Sequence, residues 1–190
     1  MARIGVLALQ GSVIEHMKML HLLHDVEAIE VKTKDDFQKI DGIILPGGES
    51  TTIGKLLRDF DLFDLLKSRI ENGMPVWGTC AGMILLAKEI VDDEPHLAVM
   101  DIKVRRNAYG RQIDSFSRKA VIPQISIEPI DLIFIRAPWI EEAKDNVDVL
   151  CMVDGHIVAA RQNNMLVTSF HPELTNNLTP HRYFVSMVKN

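Results

Sequence analysis

Along most of the chain, short continuous apolar runs alternate with stretches of helical period. Residues 4–9 are apolar throughout and stop at Gln10 and Gly11, which predicts a strand buried on both faces, as in a parallel sheet. Ser12 and Glu15 have capping-box spacing, and the helix they open would carry Val13, Met17, Leu20 and Leu23 or His24 along one side. The pattern then predicts a strand over 26–31, a short helix over 35–39 and a buried strand over 42–45. A loop at 46–52 leads into one helix over 52–72, closed by Gly73. Next come a strand over 74–77 and a helix over 81–90.

From 97 to 135 the pattern shifts to short strands and turns carrying Lys103, Arg105, Arg106, Arg111, Arg118 and Lys119. Residues 147–153 and 156–161 flank Asp154 and Gly155, which predicts an antiparallel hairpin with a primed turn. A last strand spans 165–170, and Thr179 and Pro180 open a terminal helix. No linker, repeat or low-complexity tract interrupts the sequence. The expectation is one α/β domain over 1–190, a mostly parallel sheet with helices on both faces and a small antiparallel insertion after Ile90.

Composition narrows the function. The formal net charge of −5 argues against nucleic acid or an anionic membrane as the main partner. Asp101 and Asp114 interleave the basic cluster, and the sparse aromatics Tyr109 and Phe116 do not make a base-stacking groove, so solvated hairpins are expected there. The two cysteines, Cys80 and Cys151, have neither disulfide-framework nor zinc spacing, which fits a reducing, cytoplasmic setting. No signal segment is evident and no apolar run reaches the roughly 18 residues of a membrane helix.

The chemistry centres on Gly78-Thr79-Cys80-Ala81-Gly82, which runs from an apolar strand into an apolar helix. A cysteine framed by two glycines at a strand-to-helix turn copies the nucleophile elbow, and the helix start favours the attacking thiolate. A buried structural cysteine is the alternative. Gly47 and Gly48 allow backbone N–H groups to approach a ligand oxygen, as an oxyanion hole requires, and a plain turn is the alternative. A phosphate loop fails, because Lys55 is followed by Leu56. Pro172 biases His171 toward extended geometry, which would make His171 and Glu173 a facing pair. An imidazole beside a carboxylate has the properties of the second and third members of a Cys-His-carboxylate triad. Gln10, Gly47, Cys80 and His171 each end a different predicted strand, and ligands in such sheets bind at the strands' carboxyl ends.

These residues resemble the class I (triad) glutamine amidotransferases, and more narrowly the glutaminase subunits of pyridoxal 5'-phosphate synthase, across nearly the whole chain. The likeness rests on residues 5–11, 45–52 and 78–82, on Arg106, Asn107, Gly110, Arg111, Gln112, Asp114 and Phe116, and on 134–138 and 169–175. The elbow and His-x-Glu mark the chemistry of all triad amidotransferases, while the arginine-bearing stretches mark the vitamin B6 branch. The resemblance implies a three-layer flavodoxin-like fold with Cys80 as nucleophile, His171 as base and acid, and Glu173 as its orienting partner. It implies an oxyanion hole from the N–H groups of Gly48 and Ala81, and L-glutamine held by Gly48, Glu49, Ser50, Arg106, Ile135 and Arg136. It also implies a synthase subunit as partner in a hetero-oligomer, and no metal or cofactor. Arg105 and Trp139 depart from the family pattern, which places an acid and a histidine there. A related elbow-bearing class has His directly after the cysteine, where this chain has Ala81.

Overall fold

A computed structural model describes residues 1–109 and 115–189. Gly110, Arg111, Gln112 and Asp114, named above, lie outside the described residues. In chain order the first half comprises β1 (Ala2–Leu7), α1 (Val13–His21), β2 (Val26–Val31), α2 (Lys34–Phe37), β3 (Gly42–Leu45), α3 (Ser50–Asp59), α4 (Phe63–Glu71), β4 (Val76–Thr79), α5 (Ala81–Leu86) and β5 (Ala87–Ile90). The second half comprises β6 (Met100–Arg105), β7 (Ser115–Ile122), β8 (Ser126–Ile135), β9 (Trp139–Ala143), β10 (Asp148–Val153), β11 (His156–Gln162), β12 (Met165–Thr168), a single 3-10 turn (Pro172–Leu174) and α6 (Thr179–Lys189).

Strands β2, β1, β3, β4 and β12 lie in that order and run parallel. Every residue of β3, β4 and β12 is buried, as a strand covered on both faces must be. The sheet continues antiparallel through β11 and β9 to β6, with β5 parallel to β6 at the edge and β10 paired to β11. A separate β7–β8 hairpin packs against β10 and the 3-10 turn.

The period-2 alternation of a strand sends neighbouring side chains to opposite layers. Ile43 and Leu45 join the layer of Ile53, Leu57, Leu66 and Ile70 from α3 and α4. Ile44, between them, joins the layer of Leu20 from α1 and Phe184 and Val185 from α6. The doubly covered, mostly parallel α/β sheet expected from the sequence is therefore present.

Several boundaries differ. The first strand is Ala2–Leu7, because pairing begins at Ala2 opposite Val26 and Leu9 falls in the loop beyond. The strand expected over 74–77 instead spans Val76–Thr79, set by pairing on both sides from Val76 onward. The single helix expected over 52–72 is two. Asp61 takes φ 55, and the N–H groups of Asp61 and Leu62 bond to Arg58 and Leu57 carbonyls, a Schellman closure with Asp where glycine is usual. The helix expected to reach Ile90 stops at Leu86, since Ala87 turns extended and β5 pairs with β6. No capping box forms at Ser12, whereas one joins Thr33 and Asp36. The hairpin turn at Asp154 and Gly155 has the positive φ of both central residues expected of a primed turn (51 and 84).

Candidate active site

Cys80 follows β4 directly and takes φ 48, ψ −102, a strained conformation for a residue with a side chain. The two framing glycines explain how the turn closes. A Cβ on Gly82 would sit 2.1 Å from the Leu45 carbonyl oxygen, and one on Gly78 would sit 2.5 Å from the Gly82 backbone. The Cys80 N–H donates to Thr168 O at 2.8 Å, which ties the elbow to β12. Only 7% of Cys80 is exposed, and its thiol lies 3.9 Å from the Ile135 carbonyl oxygen.

β12 delivers His171. Glu173 meets it, although the backbone there is not the extended segment expected: Pro172 begins a 3-10 turn, where its fixed φ and missing N–H fit a first helical position. His171 Nδ1 lies 2.8 Å from Glu173 Oε1, so the ring donates there and its Nε2 remains for the thiol side. Burial opposes charge on His171, but hydrogen bonding and charge at Cys80 and Glu173 outweigh it, pushing the ring up to about 10. Burial also opposes charge on Glu173, yet the neighbouring His16 ring, the His171 cation and the hydrogen bonds from His171 and Ser12 hold it well below the usual carboxylate range. A Cβ on Gly47 would lie 2.4 Å from His171 Cε1 and 3.5 Å from Cys80 Cβ, so the glycine loop packs directly over both.

The pocket beside Cys80 holds about 360 Å³. It brings together Gly48, Glu49, Ser50, Cys80, Ala81, Arg106, Ile135, Arg136 and His171; Glu173 stands behind His171, outside the lining. Ser50 Oγ, at the first turn of α3, is buried without a hydrogen-bond partner. Arg106 pairs with Asp93 and reaches Thr51 Oγ1 at 3.3 Å, and Arg136 lies 3.7 Å from Glu49. The Ala81 N–H opens α5 and has no helical acceptor. The described members of the basic cluster are ion-paired: Lys103 with Glu142, Arg105 with Glu141, Arg106 with Asp93, Arg118 with Asp154 and Lys119 with Asp131.

Sequence alone places Gln10 at the ligand edge without a contact and makes Ser12 a cap, and His16 escapes it. The Gln10 side chain accepts the Glu49 N–H at 2.9 Å and so braces the start of α3. Ser12 Oγ donates to Glu173 Oε1 at 2.7 Å while its N–H holds Gly47 O at 3.0 Å. His16, fully buried, stands 3.4 Å from Glu173 Oε2. Arg105 and Trp139, the two positions expected to depart from the family pattern, are cross-strand neighbours that share Glu141, Trp139 Nε1 at 3.1 Å.

Residues 6–190 match the profile of the SNO glutamine amidotransferase family. The chain belongs to that family. It is 58% identical over its full length to a Clostridium botulinum protein, itself fully covered, called "Pyridoxal 5'-phosphate synthase subunit PdxT". A Ruminiclostridium cellulolyticum protein of the same name is 55% identical, with 99% of this chain and 100% of the relative covered. A solved structure titled "Crystal structure of glutamine amidotransferase" superposes with a TM-score of 0.92 at 42% identity, covering 98% of this chain and 99% of that one.

Proposed function

We propose that this protein hydrolyses L-glutamine to L-glutamate and ammonia, and passes the ammonia to a pyridoxal 5'-phosphate synthase subunit in a hetero-oligomeric complex. The observation that carries the reading is the assembly of Cys80, His171 and Glu173 against one pocket that offers both signs of charge. An amino acid needs a cation for its carboxylate and an acceptor for its ammonium; Arg106 and Arg136 supply the first, Glu49 and the Ile135 carbonyl the second. Ser50 Oγ, unpartnered, is a further donor for the ligand.

In this mechanism the Cys80 thiolate adds to the side-chain amide carbon, and the oxyanion meets the N–H groups of Ala81 and Gly48. His171 gives its Nε2 proton to the departing nitrogen, and ammonia leaves a glutamyl thioester on Cys80. A water, deprotonated by His171, attacks the thioester and releases glutamate, returning the proton to the thiol–imidazole pair. Glu173 carries no proton; it orients the ring and stabilises its cation. Two unpaired cysteines support a cytoplasmic setting, and no helix among the described residues is long and apolar enough to cross a membrane. The test is glutamate release from glutamine, with and without synthase. Release by the native pair and none by Cys80→Ala is expected; no release by the native pair refutes the reading.

A further inference from the structure

Behind Glu173 lies a second imidazole pair for which the mechanism above has no role. His16 and His181 are both fully buried, with His16 Nδ1 3.0 Å from His181 Nε2. His16 Nε2 faces Thr79 Oγ1 at 3.2 Å and Glu173 Oε2 at 3.4 Å. Trp77 closes the group edge-on, its ring centroid 5.9 Å from His16 and 5.1 Å from His181. Glu173 Oε2 and His181 Nδ1 are buried without a hydrogen-bond partner, the His16 Nε2 contact being an approach short of a formed bond.

Two neutral tautomer chains fit the His16–His181 contact. If His16 Nδ1–H donated to His181 Nε2, the proton of His181 would sit on Nδ1, a buried donor with no acceptor. His16 Nε2 would then accept from the Thr79 hydroxyl and offer no donor to Glu173 Oε2. If His181 Nε2–H donates to His16 Nδ1, only the lone pair of His181 Nδ1 lacks a partner, and His16 Nε2–H points at Thr79 and Glu173. An unpaired buried donor together with a carboxylate oxygen left without a donor costs more than one unpaired acceptor, so the second chain is favoured.

Building on the glutaminase reading, we propose that His16 is a positioning residue, locked by His181 as the neutral Nε2–H tautomer and donating to Glu173 Oε2. The carboxylate is then gripped on both oxygens, Oε1 by Ser12 and His171 and Oε2 by His16, and cannot turn away from His171. At 3.4 Å the contact is long for an N–H to oxygen bond, and such bonds in ligand-free sites shorten as the reacting complex forms. The neutrality of His16 matters as much as its position. A second cation on Glu173 would divide the negative charge that stabilises the His171 imidazolium. The charges near His16 are Glu173, His171 and Glu15, and burial, the largest influence, lowers its pKa and keeps it uncharged.

The ring nitrogens of the 15N-labelled full-length chain report the tautomer directly by NMR at neutral pH. Nε2–H on both His16 and His181 is expected; an Nδ1–H or doubly protonated His16 overturns the proposal whether or not the protein proves to be a glutaminase. In the synthase-activated assay, His16→Leu is expected to lower kcat about tenfold to 100-fold with little change in KM. His16→Gln, whose amide N–H falls near the position of Nε2, should recover most of that loss. A folded His16→Leu with native kcat, or equal losses in both variants at equal Tm, refutes the role. If His16→Leu does not fold, the native tautomer alone decides. A native protein that releases no glutamate sinks the glutaminase reading and leaves the tautomer result standing.

Discussion

Replacing Gly82 by alanine sets two effects of known sign against each other. In a helix, alanine is favoured over glycine by about 1 kcal/mol. Here the added Cβ would lie 2.1 Å from the Leu45 carbonyl oxygen and 3.0 Å from the Leu45 carbonyl carbon. Carbon and oxygen normally approach no closer than about 3.3 Å, so α5 must move away from β3 by about 1 Å. The obstacle is backbone in a fully buried strand and cannot rotate aside. Overpacking of this kind costs about 1–3 kcal/mol, so clash and propensity leave a modest net loss of stability. The effect on rate is larger, because α5 carries both the Ala81 N–H and the Cys80 turn, and a misplacement of about 1 Å costs on the order of 100-fold. Glutamate release with synthase, read beside a thermal melt, checks this. Gly73→Ala is the control: Gly73 has φ +96 but nothing within 4 Å of its added Cβ, so it should lose stability without losing rate. A soluble Gly82→Ala protein with the native rate would refute the argument that these glycines hold the elbow in register.

Glu173→Gln should be impaired less than His171→Ala, because Glu173 acts through the ring; slower turnover for the glutamine variant at equal stability would overturn that division. Cys151→Ala should keep full activity, since Cys151 is buried in β10 and is not part of the pocket lining; a null variant that still folds would count against it. Burial lowers His16 and holds His181 at about 3, against about 6.5 unfolded, so their contribution is complete above the unfolded value and drains as pH falls toward the folded one. His171, raised to about 10, contributes fully below about 6.5 and fades only toward high pH, so urea midpoints should fall between about pH 6 and 4.5, and a flat midpoint would contradict this. The Gly47 carbonyl is held by the Ser12 N–H at 3.0 Å, and a turn of the Gly47–Gly48 peptide on docking would break that bond and present an N–H to the oxyanion. The isolated chain should therefore bind glutamine yet hydrolyse it slowly, with synthase raising kcat more than lowering KM; activation confined to KM would exclude this gate.

The central strands were legible because burial on both faces writes an uninterrupted apolar run, and the elbow was legible because close backbone packing admits nothing larger than glycine at 78 and 82. The break after α3 was hidden because the apolar period runs through it and Asp61 fills the left-handed position without a glycine to mark it. His171 and Glu173 were paired correctly through an incorrect backbone: His171 precedes the 3-10 turn at φ −107, ψ 85, and Glu173 within the turn still reaches its ring. Ser12 was read as a cap because its local spacing allows one, while its actual acceptor lies 161 positions away. Nothing adjacent to His16 in sequence distinguishes it from an ordinary helix residue, because its side-chain polar contacts come from β4, the 3-10 turn and α6.

The shared grip of Arg105 and Trp139 on Glu141 couples the two positions physically. Trp139 also lies flat on His156, ring centroids 3.5 Å apart, and Tyr109 stands edge-on to it in the segment that follows Arg106. Placing an acid at 105 alone would set it beside Glu141 with no cation between them, and placing histidine at 139 alone would remove both the stack and the indole donor. Each substitution taken singly should be worse than the pair, the sign of epistasis. A chimera that exchanges this strand pair with a relative must carry positions 105, 139 and 141 together.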